Sequence, residues 1–262
     1  MVAHDPAIRR ITARPDRRCY GMGLGVILLD DVYPGFPGDI RNPSAYPFPI
    51  QYEIAEGVDI AQLVRGDAAE KEAILPPILK AARKLECMGC RAIAAECGYF
   101  AWFQREIAEA VNVPVFASSL LQIPLAQMLI GPDRVVGILM SGLRFLSERH
   151  LTAVGVRPGT NYVLHGAMDD RKIPQFDNLW NRDIRPELPT ADYEQAEREI
   201  VAVAREFARQ HPRMGAMVLE CTGFQPFGRA IQSEIEMPVF SWSTLLDYAY
   251  SVAVHRDFYG HV

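Results

Sequence analysis

The chain has 262 residues, 49% of them hydrophobic and 23% charged, with a formal net charge of -5. That length suits one large domain or two modest ones sharing a core. The acidic balance argues against a nucleic-acid partner, which leaves a basic footprint. No run of about 18 apolar residues exists to span a membrane.

In chain order, residues 1–19 read as an N-terminal arm, with Arg9, Arg10, Arg14, Arg17 and Arg18 interrupted by Pro15 and Asp16. No continuous apolar stretch follows those charges to make a secretory signal, so a cytoplasmic location is expected. A first strand lies over 25–29. The stretch from 33 to 49 is too rich in proline and glycine for a helix or a central strand. A strand over 50–55 and a helix over 68–85 follow. Next come a short strand at 92–95, a helix over 99–110, a strand at 114–116 and a helix over 120–130. The pattern then restarts. A strand over 134–140, a helix over 142–154 and a strand over 161–164 precede an irregular insertion at 169–189. An amphipathic helix over 193–209 leads to strand 216–219, helix 224–234, strand 239–240 and helix 244–254.

Short apolar strands alternating with helices define an α/β protein with mostly parallel sheets covered by helices. Two pseudo-symmetric lobes are expected, 20–130 and 131–255, with a site in the cleft between them. The tail, 256–262, is expected to pack back on the first lobe. An internal repeat supports this division. Shifted by 124 positions, residues 91–121 fall on 215–245 with 12 identities in 31. Glu96-Cys97 meets Glu220-Cys221, Phe100 meets Phe224 and Phe103 meets Phe227. Arg105 meets Arg229, Pro114-Val115-Phe116 meets Pro238-Val239-Phe240, and Ser119 meets Ser243.

Five cysteines (Cys19, Cys87, Cys90, Cys97, Cys221) make no disulfide framework. Cys87 and Cys90 form a lone CxxC with no nearby histidine to complete a zinc site, and read as a helix end running into the next strand. The six histidines show no HxH or HExxH spacing, and no metal is implied. Gly21-x-Gly23-x-Gly25 precedes its strand, the reverse of a dinucleotide-binding order. No cofactor is implied.

Cys97 and Cys221 each stand at the carboxyl end of a strand and just before a helix, where ligands bind in parallel sheets. Helix-terminal N–H groups favour a thiolate there. A thiolate on one face of a carbon and a thiol on the other would remove and return a proton with inversion and without a cofactor. Asp30 and Ser141-Gly142 occupy equivalent strand ends. Asn42, in the long loop after the first strand, offers a donor and an acceptor.

The pair Glu96-Cys97-Gly98-Tyr99-Phe100 and Glu220-Cys221-Thr222-Gly223-Phe224 resembles the aspartate/glutamate/hydantoin racemase superfamily, over roughly Tyr20 to Tyr250. The resemblance implies a cofactor-independent racemase or epimerase with Cys97 and Cys221 as its acid and base. Backbone groups at Gly98 and Thr222 would hold a carboxylate or carbonyl oxygen. Asn42, Gly98, Tyr99, Ser119, Ser141, Gly142, Thr222 and Gly223 make the candidate substrate-binding set. Amino-acid racemases of this group usually follow the cysteine with a small polar pair, whereas Cys97 is followed by Gly98, Tyr99 and Phe100 and later by Trp102, which points to a bulkier or less polar substrate than an acidic amino acid. Strand alternation turns Glu96 away from Cys97, toward an ion pair with Arg105 or Arg229. The expected partner is a small molecule bearing a carboxylate or amide, and the reading leaves a homo-oligomer open. A maleate-type isomerase or a decarboxylase using one nucleophilic cysteine is the alternative within the superfamily. A binding protein with inert cysteines is the alternative outside it.

Overall fold

The computed structural model describes residues 10, 12–15, 17–170, 172–256 and 258. Much of the expected N-terminal arm, including Arg9 and Asp16, and most of the C-terminal tail lie outside the described residues, as do His4 and His261.

The first half builds β1 (Leu24–Leu29), β2 (Ile50–Ala55), α1 (Ile60–Arg65), α2 (Ala68–Cys87), β3 (Ala92–Ala95), α3 (Gln104–Ala110), β4 (Val115–Phe116) and α4 (Ile123–Ile130). The second half builds β5 (Val135–Met140), α5 (Glu148–Thr152), β6 (Tyr162–Gly166), α6 (Pro174–Trp180), α7 (Tyr193–Gln210), β7 (Met214–Leu219), α8 (Gly228–Ile235), β8 (Val239–Phe240) and α9 (Trp242–Ala253). The strands form two four-stranded parallel sheets of identical design, β2-β1-β3-β4 and β6-β5-β7-β8. The central strands β3 and β7 are buried along their whole length, as runs such as Met214–Leu219 require when helices cover both faces.

The last helix of each half crosses to the other half's sheet. α4 packs against β5 and β7, bringing Ile123 and Ala126 into the core with Val136, Ile138, Ala216 and Val218. α9 packs against β3 and β4, its Trp242, Leu245, Leu246 and Ala249 clustering with Leu24, Val26, Ala92 and Ala94. This exchange accounts for the apolar character of 120–130: one face is buried on the second sheet, while Leu125, Met128 and Leu129 remain exposed.

Three expectations need correction. The helix expected over 142–154 shrinks to Glu148–Thr152. Residues 141–147 turn along the cleft, and the helix starts only after Ser147, whose N–H donates to the His150 ring nitrogen in a capping box. The insertion at 169–189 is not wholly irregular, because it carries α6 with Pro174 in the first turn. Finally, the segments that follow both cysteines, Gly98–Phe103 and Thr222–Phe227, are 3-10 turns that pass into α3 and α8.

Candidate active site

Residues that follow the carboxyl ends of β1, β3, β5, β6 and β7 line one cleft between the lobes. Cys97 ends β3 and Cys221 ends β7, and both thiols line a single cleft of about 330 Å³. Tyr99, Ser141, Gly142 and Thr222 line it with them. Each lobe supplies one sulfur, and both cysteines are partly exposed and unpaired in disulfides.

The remaining candidates lie elsewhere. Ser119 is fully buried and donates its hydroxyl to the Leu219 carbonyl at 2.7 Å, tying the lobes together behind the site. Asn42 turns into its own loop, donating to the Gly35 carbonyl and accepting from Ser44. Gly98 and Gly223 are buried against neighbours and leave the cleft surface to the residues around them. A Cβ on Gly223 would sit 2.0 Å from the Trp180 ring, so this glycine lets that ring approach the Cys221 turn. Asp30 is exposed and accepts from the Gly57 N–H. His165 stacks on Phe207 and lines a separate, open groove of about 610 Å³ along α7, together with Lys172, Arg198 and Glu206. None of the candidate site residues reaches that groove.

The sequence reading missed several residues that shape the cleft. Tyr33 comes from the proline-rich loop, Trp180 from α6, and Met168 and Asp169 from the turn after β6. Tyr33 and Trp180 meet edge to face at 6.1 Å between ring centres. Charged side chains Arg65, Arg144, Arg182 and Asp183 stand at the mouth, and the buried Asp177 also lines the cleft. Arg65 pairs with Asp183 through both nitrogens, at 3.0 and 3.1 Å. Arg182 pairs with Asp59 and Asp31, and Arg185 with Asp31. These pairs pin the α6 segment of the second lobe over the first. Arg144 is exposed and makes no ion pair among the described residues. The composition of the insertion, with Trp180, Arg182, Asp183 and Arg185 in a short space, was the available signal for its role.

The electrostatics of the thiols reverse the sequence expectation. Burial, and next the charge of Glu220, push both Cys97 and Cys221 well above the ordinary thiol range. The N–H groups of Tyr99 and Gly223 pull the other way. They belong to short 3-10 turns, and a single turn of donors does not offset the loss of water around a thiolate. Lys71 is a cation whose charge acts on Cys97. It is buried on α2, donates to the Leu63 carbonyl at 2.5 Å, and burial lowers its pKa to about 8. Its charge favours a Cys97 thiolate.

The two glutamates also differ from expectation. Neither pairs with Arg105, which is engaged by Glu109. Glu96 is fully buried and accepts from the Leu29 N–H at 2.7 Å, from the Tyr33 hydroxyl, and from Arg41 through two nitrogens. Glu220 is fully buried and accepts from the Ser141 N–H at 3.1 Å and from its hydroxyl at 3.4 Å. Its other oxygen, Oε1, has no hydrogen-bond partner among the described residues. Burial raises its pKa from 4.5 to about 7, against the two Ser141 donors. Among the described residues no group of three or more His, Cys, Asp or Glu side chains is placed to hold a metal ion.

Comparison with known proteins agrees with this architecture. No family model matches the chain. A dimethylsulfoniopropionate lyase of Durusdinium sp. clade D is 28% identical over 223 residues, covering 83% of this chain and 70% of that protein. Dimethylsulfoniopropionate lyase 7 of Emiliania huxleyi is 26% identical over 230 residues, covering 85% of this chain but only 64% of the longer relative. Among solved structures, unliganded arylmalonate decarboxylase superposes with a TM-score of 0.54 over 90% of this chain and 94% of its own, at 13% identity. An aspartate racemase homologue from Pyrococcus horikoshii does so with 0.52 over 87% and 98%, at 14% identity. The chain has the Asp/Glu racemase superfamily fold. Lyase, decarboxylase and racemase are all enzymes, which supports an enzymatic role for this chain. The named sequence relatives are lyases, so the isomerase class is not the one they carry.

Proposed function

We propose that the protein is a cofactor-independent lyase that removes a proton from the carbon next to a carboxylate and expels a sulfonium leaving group from the next carbon. The observation that carries this reading is the placement of two thiols, one from each lobe, in one cleft walled by aromatic rings and carboxylates. The sequence relatives supply the substrate class, since they are named for dimethylsulfoniopropionate. In that substrate the Cα proton leaves to a base, its electron pair forms the carbon–carbon double bond, and the Cβ–S bond breaks toward sulfur. The products are acrylate and neutral dimethyl sulfide, so the leaving group needs no proton.

The cleft suits a zwitterion of this kind. Tyr33, Tyr99 and Trp180 line the cleft with aromatic rings, whose faces attract onium groups, and Asp169 adds negative charge. Arg144, without an ion pair among the described residues, is placed to take the carboxylate at the mouth. Cys97 is the proposed base because Lys71 stands behind it. A cationic substrate close to a buried thiol also favours its thiolate, which offsets the burial that favours the protonated thiol.

The second thiol supports a second reading, racemisation or epimerisation of an α-substituted carboxylate, with Cys221 returning the proton on the opposite face. One experiment separates the two. The enzyme is incubated in D2O with dimethylsulfoniopropionate, with amino acids and with 2-substituted carboxylates, and followed by NMR. Acrylate formation from the sulfonium compound supports the lyase. Deuterium at Cα with loss of optical activity, and no acrylate, moves the assignment to the racemase. Neither reaction on any compound removes both.

A further inference from the structure

We infer that Glu220 is the proton acceptor for the Cys97 thiol, reaching across from the opposite lobe; this rests on the reading of Cys97 as the base. Three observations converge on it. Glu220 is fully buried, yet Oε1 has no partner among the described residues, a cost in free energy that a catalytic role would explain. That oxygen points at the first lobe beside Cys97: a Cβ on Gly98 would lie 2.1 Å from Oε1. Glycine follows Cys97 because any side chain there would collide with the carboxylate. The third observation is the contrast with the other lobe. Glu96, at the matching position, is held by the Leu29 N–H as Glu220 is held by the Ser141 N–H, but its other oxygen is occupied by Tyr33 and Arg41. The repeat therefore built two carboxylate positions, neutralised one and left the other unpaired against the Cys97-Gly98 turn.

The transfer balances without any added reactant. Cys97 gives the proton on Sγ to Oε1 of Glu220, and the S–H electron pair stays on sulfur. The product is a thiolate beside a neutral carboxylic acid. The charge that opposed the thiolate disappears in the same step. The thiolate then takes the Cα proton of the substrate, and one proton leaves to solvent to reset the pair. The groups acting on Cys97 are Glu220 and Glu96, which oppose its ionisation, and Lys71, which favours it. Cys221 shares the influence of Glu220.

The test reads the thiol directly and needs no substrate, so its failure is distinct from failure of the lyase reading. Alkylation of Cys97 by iodoacetamide is followed by peptide mass spectrometry across pH 5 to 9, in wild type and Glu220→Gln. If Glu220 accepts the proton, the Gln variant alkylates at least tenfold more slowly at pH 7.5 and its midpoint moves to higher pH. If Glu220 only repels the thiolate, removing its charge makes Cys97 alkylate as fast or faster, which overturns the assignment. Glu220→Asp is expected to recover part of the rate. Should the Gln variant not fold, the infrared carboxylic-acid stretch of wild type decides. A protonated carboxyl that persists over the pH range in which Cys97 alkylates is expected. One fully lost below the onset of alkylation overturns the inference.

Discussion

Glu96 and Glu220 hold the same position in the two halves, and only Glu96 meets an arginine among the described residues: Arg41 donates to it through two nitrogens, while Glu220 is left with Ser141. Their substitutions should therefore behave differently. Glu96→Gln leaves Arg41 without its carboxylate in a largely buried place, and a loss of about 3–5 kcal/mol is expected. Glu220→Gln removes no cation's partner and is expected to cost far less. Urea unfolding of the two variants at neutral pH compares them.

The raised carboxyl of Glu220 also predicts how stability varies with pH. Its folded-state pKa of about 7 stands above the ordinary 4.5, so the folded form holds the proton more tightly than the unfolded one. Stability from this group is complete below about pH 4.5 and is lost as pH rises through 7, with each pH unit between the two values worth about 1.4 kcal/mol. Asp39, buried and raised from 3.8 to about 7, acts in the same direction. Wild type should lose stability between pH 4.5 and 7.5, and Glu220→Gln should lose measurably less. Unfolding midpoints at four or five pH values across this range provide the check.

Gly223→Ala tests the aromatic wall. A Cβ there would lie 2.0 Å from the Trp180 ring, so the ring must move within the cleft that it lines. Overpacking of this kind costs about 1–3 kcal/mol. Substrate affinity should fall severalfold in KM with a smaller change in kcat, because the thiols are not displaced. Steady-state kinetics on dimethylsulfoniopropionate would show the split.

The ion pairs that hold α6 over the first lobe should differ in weight by burial. Arg65 and Asp183 are exposed, and Arg65→Ala is expected to change stability by less than about 1 kcal/mol. Asp31 is almost fully buried between Arg182 and Arg185. Asp31→Asn removes the charge that both cations share there and should loosen the α6 segment. Limited proteolysis would show cleavage near residues 181–189 in this variant and not in Arg65→Ala.

The fold was legible because its signals are local. Continuous apolar strands such as 25–29 and 216–219, and the ungapped repeat around Cys97 and Cys221, pointed to two matching parallel sheets and put both thiols on one edge. What escaped depended on contacts distant in the chain. Nothing near Ser141 says that its N–H goes to Glu220, 79 residues away. Arg41 lies 55 residues from Glu96, so Arg105, close in sequence, was the wrong partner. The thiols were read from helix-end donors alone, whereas burial and a carboxylate from the other lobe decide their titration. Ser119 and Asn42 look like ligand-binding residues in sequence, but spend their hydrogen bonds on the Leu219, Glu220 and Gly35 carbonyls and on Ser44.

Dimethyl sulfide release from dimethylsulfoniopropionate, measured in the headspace for wild type, Cys97→Ser and Cys221→Ser side by side, tests the central claim most directly. Replacing the proposed base should lower kcat by about 10³-fold or more, with the folded state intact by circular dichroism. A Cys97→Ser enzyme that releases dimethyl sulfide within about threefold of an active wild type, far short of the loss a missing general base produces, would contradict the account.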